Sequence, residues 1–334
     1  MSRRIFSTLF LCIAAGLVMT LSLSCDQPQT AHVAKPERAR VLLLLNVKSN
    51  EFFRKIEEGF RKGMSPKMQS DCQLDVHYCL KPSDVAFQRS VLDRYLSDYV
   101  NGQDNPSLKA VVMTPAGSGD EVTADIKQLR DKNIPVVLVD LAITPAALQR
   151  AHTDYSAYIG SQNREGAILA ADEMAKCLPE GGSILVLNGV PGMEVAKERR
   201  IGFTQRLAEI GKQGQMPFKV TEKTADFLRS QARSTMDELV TEGQNFDGIF
   251  AANDEMALGA LEALRQRHMQ SKVVMIGFDA IEEATKAVAD GRMAATIAQD
   301  PVGMGQRAAQ TVENLLQNKP VEKEQRLPPK VVSD

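Results

Sequence analysis

The stretch that decides the fold reads Ile249-Phe-Ala-Ala-Asn-Asp-Glu-Met-Ala-Leu-Gly-Ala-Leu261, then Val273-Val-Met-Ile-Gly-Phe-Asp-Ala280, then Met293-Ala-Ala-Thr-Ile-Ala-Gln-Asp-Pro301. Three short apolar runs, from Ile249, Val273 and Ala294, each stop at a polar residue: Asn253, Asp279 and Gln299. Runs this short, with helical pattern between them, predict buried parallel strands joined by crossover helices. The carboxyl ends of such strands share one edge of the sheet, and ligands bind there. Three hydrogen-bonding side chains are therefore expected at one crevice. No metal-ligand cluster or nucleophile accompanies them, so the pattern points to binding.

The same unit repeats from Val41 onward: apolar strand, polar turn, amphipathic helix. Val41 to Leu45 is five consecutive aliphatic residues, followed by a helix face at Phe52, Ile56 and Phe60. Further strands are predicted at 74–78, 110–113 and 136–139, the last ending at Asp140. A second series begins near Tyr158, with strands at 184–187, near 218–220 and at 249–252. Continuous alternation implies α/β architecture with parallel sheets. So many strands exceed one core, which divides the chain into two lobes.

Composition is that of a globular protein: 334 residues, 43% hydrophobic and 25% charged, with a formal charge of -2. Residues 1–24 carry Arg3 and Arg4, an apolar stretch and no acid, the pattern of a secretion signal. Setting those two arginines aside leaves 38 basic residues against 42 acidic ones. This slightly acidic body has no basic stripe, so no nucleic-acid partner is expected. Ser22-Leu-Ser-Cys25 resembles a bacterial lipoprotein processing site, with Cys25 as the lipidated residue, although Ser22 stands where such signals usually carry Leu. The alternatives are ordinary cleavage or an uncleaved anchor. Residues 25–38 are polar with two prolines and read as a tether. Cys72 and Cys79 bracket a predicted strand, which holds them too far apart to bridge, so free buried thiols are expected. No zinc spacing occurs.

Catalytic signatures are missing: no Gly-x-Ser-x-Gly elbow, no phosphate loop and no Gly-x-Gly-x-x-Gly fingerprint. The four histidines, His32, His77, His152 and His268, are isolated. No enzyme activity, catalytic residue, metal or cofactor is expected. Asn50-Glu-Phe-Phe53 follows the first strand directly. Asn50 reads either as a helix cap or as a cleft residue, and the two rings either as core or as a face for a sugar. Asn253 and Asp279 are likewise caps or ligand contacts.

These segments, together with Lys197-Glu-Arg-Arg-Ile-Gly-Phe203, resemble the type 1 periplasmic solute-binding proteins of ABC sugar importers, and most closely the ribose-binding proteins. The resemblance runs from about residue 41 to 332. It implies two doubly wound parallel-sheet lobes joined by a three-strand hinge, with crossings near Ile159, Asp300 and Leu327. One lobe would comprise residues 39–159 plus 277–326, the other 160–276 plus 327–334. It further implies a monomeric periplasmic lipoprotein that passes a small sugar to an ABC permease in the inner membrane. The alternative is a sensory sugar or autoinducer-2 receptor that presents its ligand to a membrane kinase or chemoreceptor. A repressor of the same architecture would need an amino-terminal DNA-binding unit where this chain has its signal and tether.

Residue by residue, Phe52, Phe53 and Phe227 match an aromatic clamp. Asn50, Asp140, Asn253, Asp279 and Gln299 match its polar contacts, and Lys197 stands where a second arginine is expected. Leu141 follows Asp140 where the ribose pattern has arginine. Both departures remove directed donors, and Leu141 adds apolar surface, which favours a less hydroxylated sugar, a different pentose or autoinducer-2 over ribose.

Overall fold

The computed structural model describes residues 38–97, 108–214, 217–269 and 273–333. The expected signal peptide, Cys25 and the tether up to residue 37 lie outside the described residues. Among the described residues no helix is long and apolar enough to cross a membrane.

The chain alternates as the apolar pattern predicts. The first series is β1 (Ala39–Leu45), α1 (Glu51–Gly63), α2 (Pro66–Asp71), β2 (Cys72–Tyr78), α3 (Val85–Ser97), β3 (Leu108–Met113), α4 (Thr123–Asp131), β4 (Val136–Val139), α5 (Pro145–Arg150) and β5 (Ala157–Ser161). The second is α6 (Asn163–Cys177), β6 (Gly182–Asn188), α7 (Glu194–Gly214), β7 (Phe218–Thr224), α8 (Arg229–Thr241), β8 (Gly248–Ala251), α9 (Asp254–Gln266), β9 (Val274–Asp279), α10 (Glu282–Ala289) and β10 (Ala295–Ala298). Helix α11 (Pro301–Leu316) and strands β11 (Glu324–Leu327) and β12 (Lys330–Ser333) complete it.

Two six-stranded sheets result, ordered β11-β5-β4-β3-β1-β2 and β7-β6-β8-β9-β10-β12. Every pairing is parallel except the antiparallel edge of β10 with β12. In each sheet the strand order reverses beside the first strand of its series, the arrangement that opens a crevice at the carboxyl ends. The continuous apolar run of β1 follows from burial on both faces. Val41, Leu43 and Leu45 join the core under α1 and α11, while Leu42 and Leu44 join the core on the opposite side under α3 and α4. The second sheet is covered in the same way by α8, α9 and α10 on one face and by α6 and α7 on the other.

The lobe boundaries differ from the sequence expectation. Residues 277–300 do not belong to the first lobe. Strand β9 extends the ladder from β8, with Gly248 opposite Val274, and β10 pairs with β9, with Thr296 opposite Gly277. The chain therefore crosses only after β10, at Gln299 and Asp300. The first crossing follows Ser161 rather than Ile159, because β5 keeps its pairing with β11 through Leu327 opposite Ser161. The third falls between Leu327 and Lys330, and α11 returns to pack on α1. The thiols of Cys72, Cys79 and Cys177 are free; Cys72 and Cys79 are buried and Cys177 is exposed.

Contact between α1 and α11 is close enough that a Cβ added at Gly305 would sit 2.1 Å from the carbonyl oxygen of Ile56. A backbone obstacle cannot swing aside as a side-chain tip can. Gly305→Ala should part the two helices and lower the stability of the protein by about 1–3 kcal/mol, read from denaturant midpoints. An unchanged midpoint would show that α11 is free to shift.

Candidate functional site

The carboxyl edges of the two sheets face a shared cavity of about 270 Å³. Asn50, Phe52, Phe53, Asp140, Phe227, Asn253, Asp279 and Gln299 all line it. Eight of the nine positions expected from sequence are thus brought together. Lys197 is not. Its side chain is exposed and pairs with Glu194 at 3.3 Å, one turn away on α7. Residues 197 and 199 lie on opposite faces of a helix, and it is Arg199 that shares the buried face with Val195, Gly202 and Phe203. It is Arg199, not Lys197, that lines the cavity.

Arg199 is only 4% exposed. Its Nε donates to Asn163 Oδ1 at 2.9 Å, and Nη1 donates to the Ala252 carbonyl at 2.7 Å and to Asp279 Oδ1 at 3.3 Å. The guanidinium lies 3.8 Å from the centre of the Phe278 ring, a desolvated cation–π contact. Gln299 ties this group to the other lobe: its Nε2 donates to Asp279 Oδ1 at 2.6 Å, while its Oε1 accepts from Ser161 Oγ at 2.5 Å.

Several of the cap readings hold alongside the cavity placement. Asn50 Oδ1 accepts from the Phe52 N–H at the start of α1. Asn253 Oδ1 accepts from the Met256 N–H at the start of α9, and its Nδ2 donates to the Phe227 carbonyl. Asp279 is not a cap. The Ile281 N–H donates instead to Asp254 Oδ2 at 3.0 Å, and Thr296 donates to Asp254 Oδ1 at 2.7 Å. Asp254 is fully buried beneath the loop that carries Asp279. Sequence reading missed both Asp254 and Arg199. The signal available for Arg199 was its helical phase, shared with Val195, Gly202 and Phe203 on α7.

Backbone geometry is unusual where these side chains turn in. Asp140, Asp226, Phe227, Asp279 and Ala280 all have positive φ, the conformation that costs non-glycine residues most. For Asp140 the strain is held by its N–H donating to the Ile159 carbonyl and by Tyr158 Oη donating to its own carbonyl. The ring of Phe227 lies over Gly189, where an added Cβ would meet it at 2.0 Å. Phe52 and Phe53 form an edge-to-face pair with centroids 5.5 Å apart.

Among the described residues, three side-chain links join the lobes around the cavity. Besides Ser161 to Gln299, Glu51 on α1 accepts from the Glu282 N–H at the start of α10, 2.9 Å away. Arg326 on β11 donates to Glu198 on α7 at 3.1 Å. Among the described residues no cluster of His, Cys, Asp and Glu could hold a metal ion.

A two-lobed α/β fold with aromatic rings, amides and carboxylates from both lobes converging on one enclosed cleft defines the class of bilobal solute binders. The chain matches the periplasmic binding protein domain over residues 41–320, and it belongs to that family. It is 32% identical over 314 residues to the ribose import binding protein of Escherichia coli K12, covering 92% of this chain and 94% of that protein. The D-ribose/D-allose-binding protein of Pseudomonas aeruginosa is 26% identical over 304 residues, 91% of this chain and 90% of its own. Among solved structures, the Caulobacter myo-inositol binding protein bound to myo-inositol is 26% identical with a TM-score of 0.74, covering 91% of this chain and 96% of that one. A solute-binding protein of Actinobacillus succinogenes with bound D-allose shares the fold, with a TM-score of 0.76 at 24% identity over 89% and 98% of the two chains.

Burial sets the charge state of the site. It pushes the carboxyl of Asp140 up to about 7; Arg199 opposes the shift and Asp279 adds to it. Burial likewise raises Asp279 to about 6 against the pull of Arg199 and of the Gln299 hydrogen bond. Both groups hold a proton more tightly folded than unfolded. Their effect is to lower stability as pH rises from about 4, the unfolded value, to 7. The ligand-free protein should therefore melt at a lower temperature at pH 7.5 than at pH 5, and Asp140→Asn should shrink that difference. A melting temperature that climbs steadily over this range in the wild type, unchanged by the substitution, would contradict the assignment.

Proposed function

We propose that the protein is a periplasmic receptor that binds a small monosaccharide between its lobes and delivers it to an ABC importer. The observation that carries this reading is the convergence on one cavity of three phenylalanines with Asn50, Asp140, Arg199, Asn253, Asp279 and Gln299, drawn from both lobes. A pyranose or furanose ring has two kinds of surface, C–H faces and a hydroxyl rim. Phe52, Phe53 and Phe227 suit the faces, and the amides, carboxylates and guanidinium suit the rim. Asp279 accepts a hydroxyl proton while Arg199 donates beside it, so neighbouring hydroxyls are held in one orientation. No covalent step is needed.

Recognition couples to hinge closure. A ligand held by one lobe alone leaves the polar groups of the other in water; only the closed arrangement satisfies both sets. Binding energy therefore shifts the population toward the closed form, which the importer would recognise. The resemblance of residues 22–25 to a lipoprotein processing site supports anchoring through a lipid on Cys25. Cys25→Ser should then move the mature protein from the membrane fraction to the soluble periplasmic fraction; retention in the membrane fraction would end that part of the reading.

Calorimetry against pentoses, hexoses, their deoxy and amino forms and autoinducer-2 tests the receptor assignment. At least one should bind with release of heat, and silence from all of them would overturn it. With that ligand, Asp279→Ala should weaken binding by roughly 2–4 kcal/mol, because it leaves Arg199 without its carboxylate.

A further inference from the structure

The charges lining the cavity do not balance. Asp140, Asp226, Glu255 and Asp279 contribute carboxylates; Arg199 and Arg229 contribute guanidiniums. Both arginines are already engaged. Arg199 pairs with Asp279 at 3.3 Å, and Arg229 pairs with Glu255 at 2.9 Å and with Glu283 at 2.6 Å outside the cavity. Asp140 and Asp226 are left without an ion-pair partner among the described residues.

Asp140 is the telling one. It is 7% exposed, it lines the cavity, and its carboxyl group accepts no hydrogen bond among the described residues. Its neighbour in sequence is Leu141, which packs with Val190, Met193 and Val195 into an apolar wall that spans the lobes. The wall offers neither a donor nor a positive charge. A buried carboxyl group is tolerated when it is paired, and this one opens onto the cavity.

We propose that the bound solute carries a protonated amine directed at Asp140, which makes the ligand class an amino sugar rather than a neutral one. This rests on the receptor reading above and specifies its substrate. The ammonium would supply the charge-assisted hydrogen bond that no protein group provides, and its ring carbons would lie along the Leu141 wall. The charged groups facing Asp140 are Arg199 from α7 and Asp279 from β9, and Tyr158 from β5 approaches only its carbonyl. An ammonium binds the ionised carboxylate. Affinity should therefore rise from pH 5 to pH 7 as the ligand-free carboxyl gives up its proton. A neutral ligand that accepts a hydrogen bond from the protonated carboxyl would show the opposite slope.

The test is calorimetry on the mature protein with D-glucosamine, D-galactosamine and D-mannosamine, each beside its parent hexose, at pH 5 and pH 7. At least one amine should bind about tenfold or more tightly than its parent, with affinity higher at pH 7. Leu141→Arg, which places a guanidinium next to Asp140, should erase or reverse that preference. Parent hexoses or neutral pentoses binding as well as every amine, or an amine affinity that falls toward pH 7, would overturn the proposal and leave the receptor reading intact. Absence of heat from every sugar, neutral or amino, would remove both. The comparison of each amine with its parent hexose is made on the wild type, so it decides the matter even if the variant does not fold.

Discussion

The site depends on one buried guanidinium. Arg199 enters from the inner face of α7 and spends its donors on Asn163, the Ala252 carbonyl and Asp279, with its flat face on the Phe278 ring. Each partner comes from a different element: the start of α6, the end of β8 and the end of β9. A single planar cation thus fixes the relative positions of three chain segments at the edge of the second sheet. It also offsets part of the cost of burying Asp279. A lysine could supply the charge but not the fork, and the three segments would lose their common reference.

Around that cation the protein accepts backbone strain. Four cavity residues, with Ala280 beside Asp279, hold positive φ, in two pairs and one single, each at or shortly after the end of a strand. A strand points its terminal residue along the sheet edge, so turning a side chain inward requires a reversal within one or two residues. Hydrogen bonds from rigid neighbours hold these reversals: the Ile159 carbonyl for Asp140, and the Asn253 amide for the Phe227 carbonyl. Asp254 does the same from below by gripping the N–H of Ile281 and the hydroxyl of Thr296. Strain of this kind persists only where surrounding structure over-determines it.

The architecture was largely legible in the sequence, because strands buried on both faces leave runs such as Val41 to Leu45 that little else produces. The edge strands β11 and β12 were not, since Glu-Gln-Arg-Leu and Lys-Val-Val-Ser carry no such run. Sheet membership was also hidden. Nothing local to Gly277 says whether the chain has crossed, and only the ladder between Gly248 and Val274 decides it. At the site, strand-end polar residues stood out because they interrupt apolar runs. The choice between Lys197 and Arg199 could not be made from type or spacing, only from the phase of α7. Asp254 escaped for a similar reason: at a helix start an acid facing solvent and an acid buried under a loop read alike.

The order in which the strands are laid down has a bearing on the life of the chain before it is folded. The amino-terminal lobe takes five consecutive strands from the first half of the sequence, yet one of its faces is roofed by α11, which ends at Leu316, and its edge is closed by β11. The other lobe waits for β12 at residues 330–333. A growing polypeptide that stops at residue 300 therefore lacks both the helix that packs on α1 and the strand that closes the edge of the first sheet. Neither lobe can be finished early. Completion of both waits for the segment that follows residue 300.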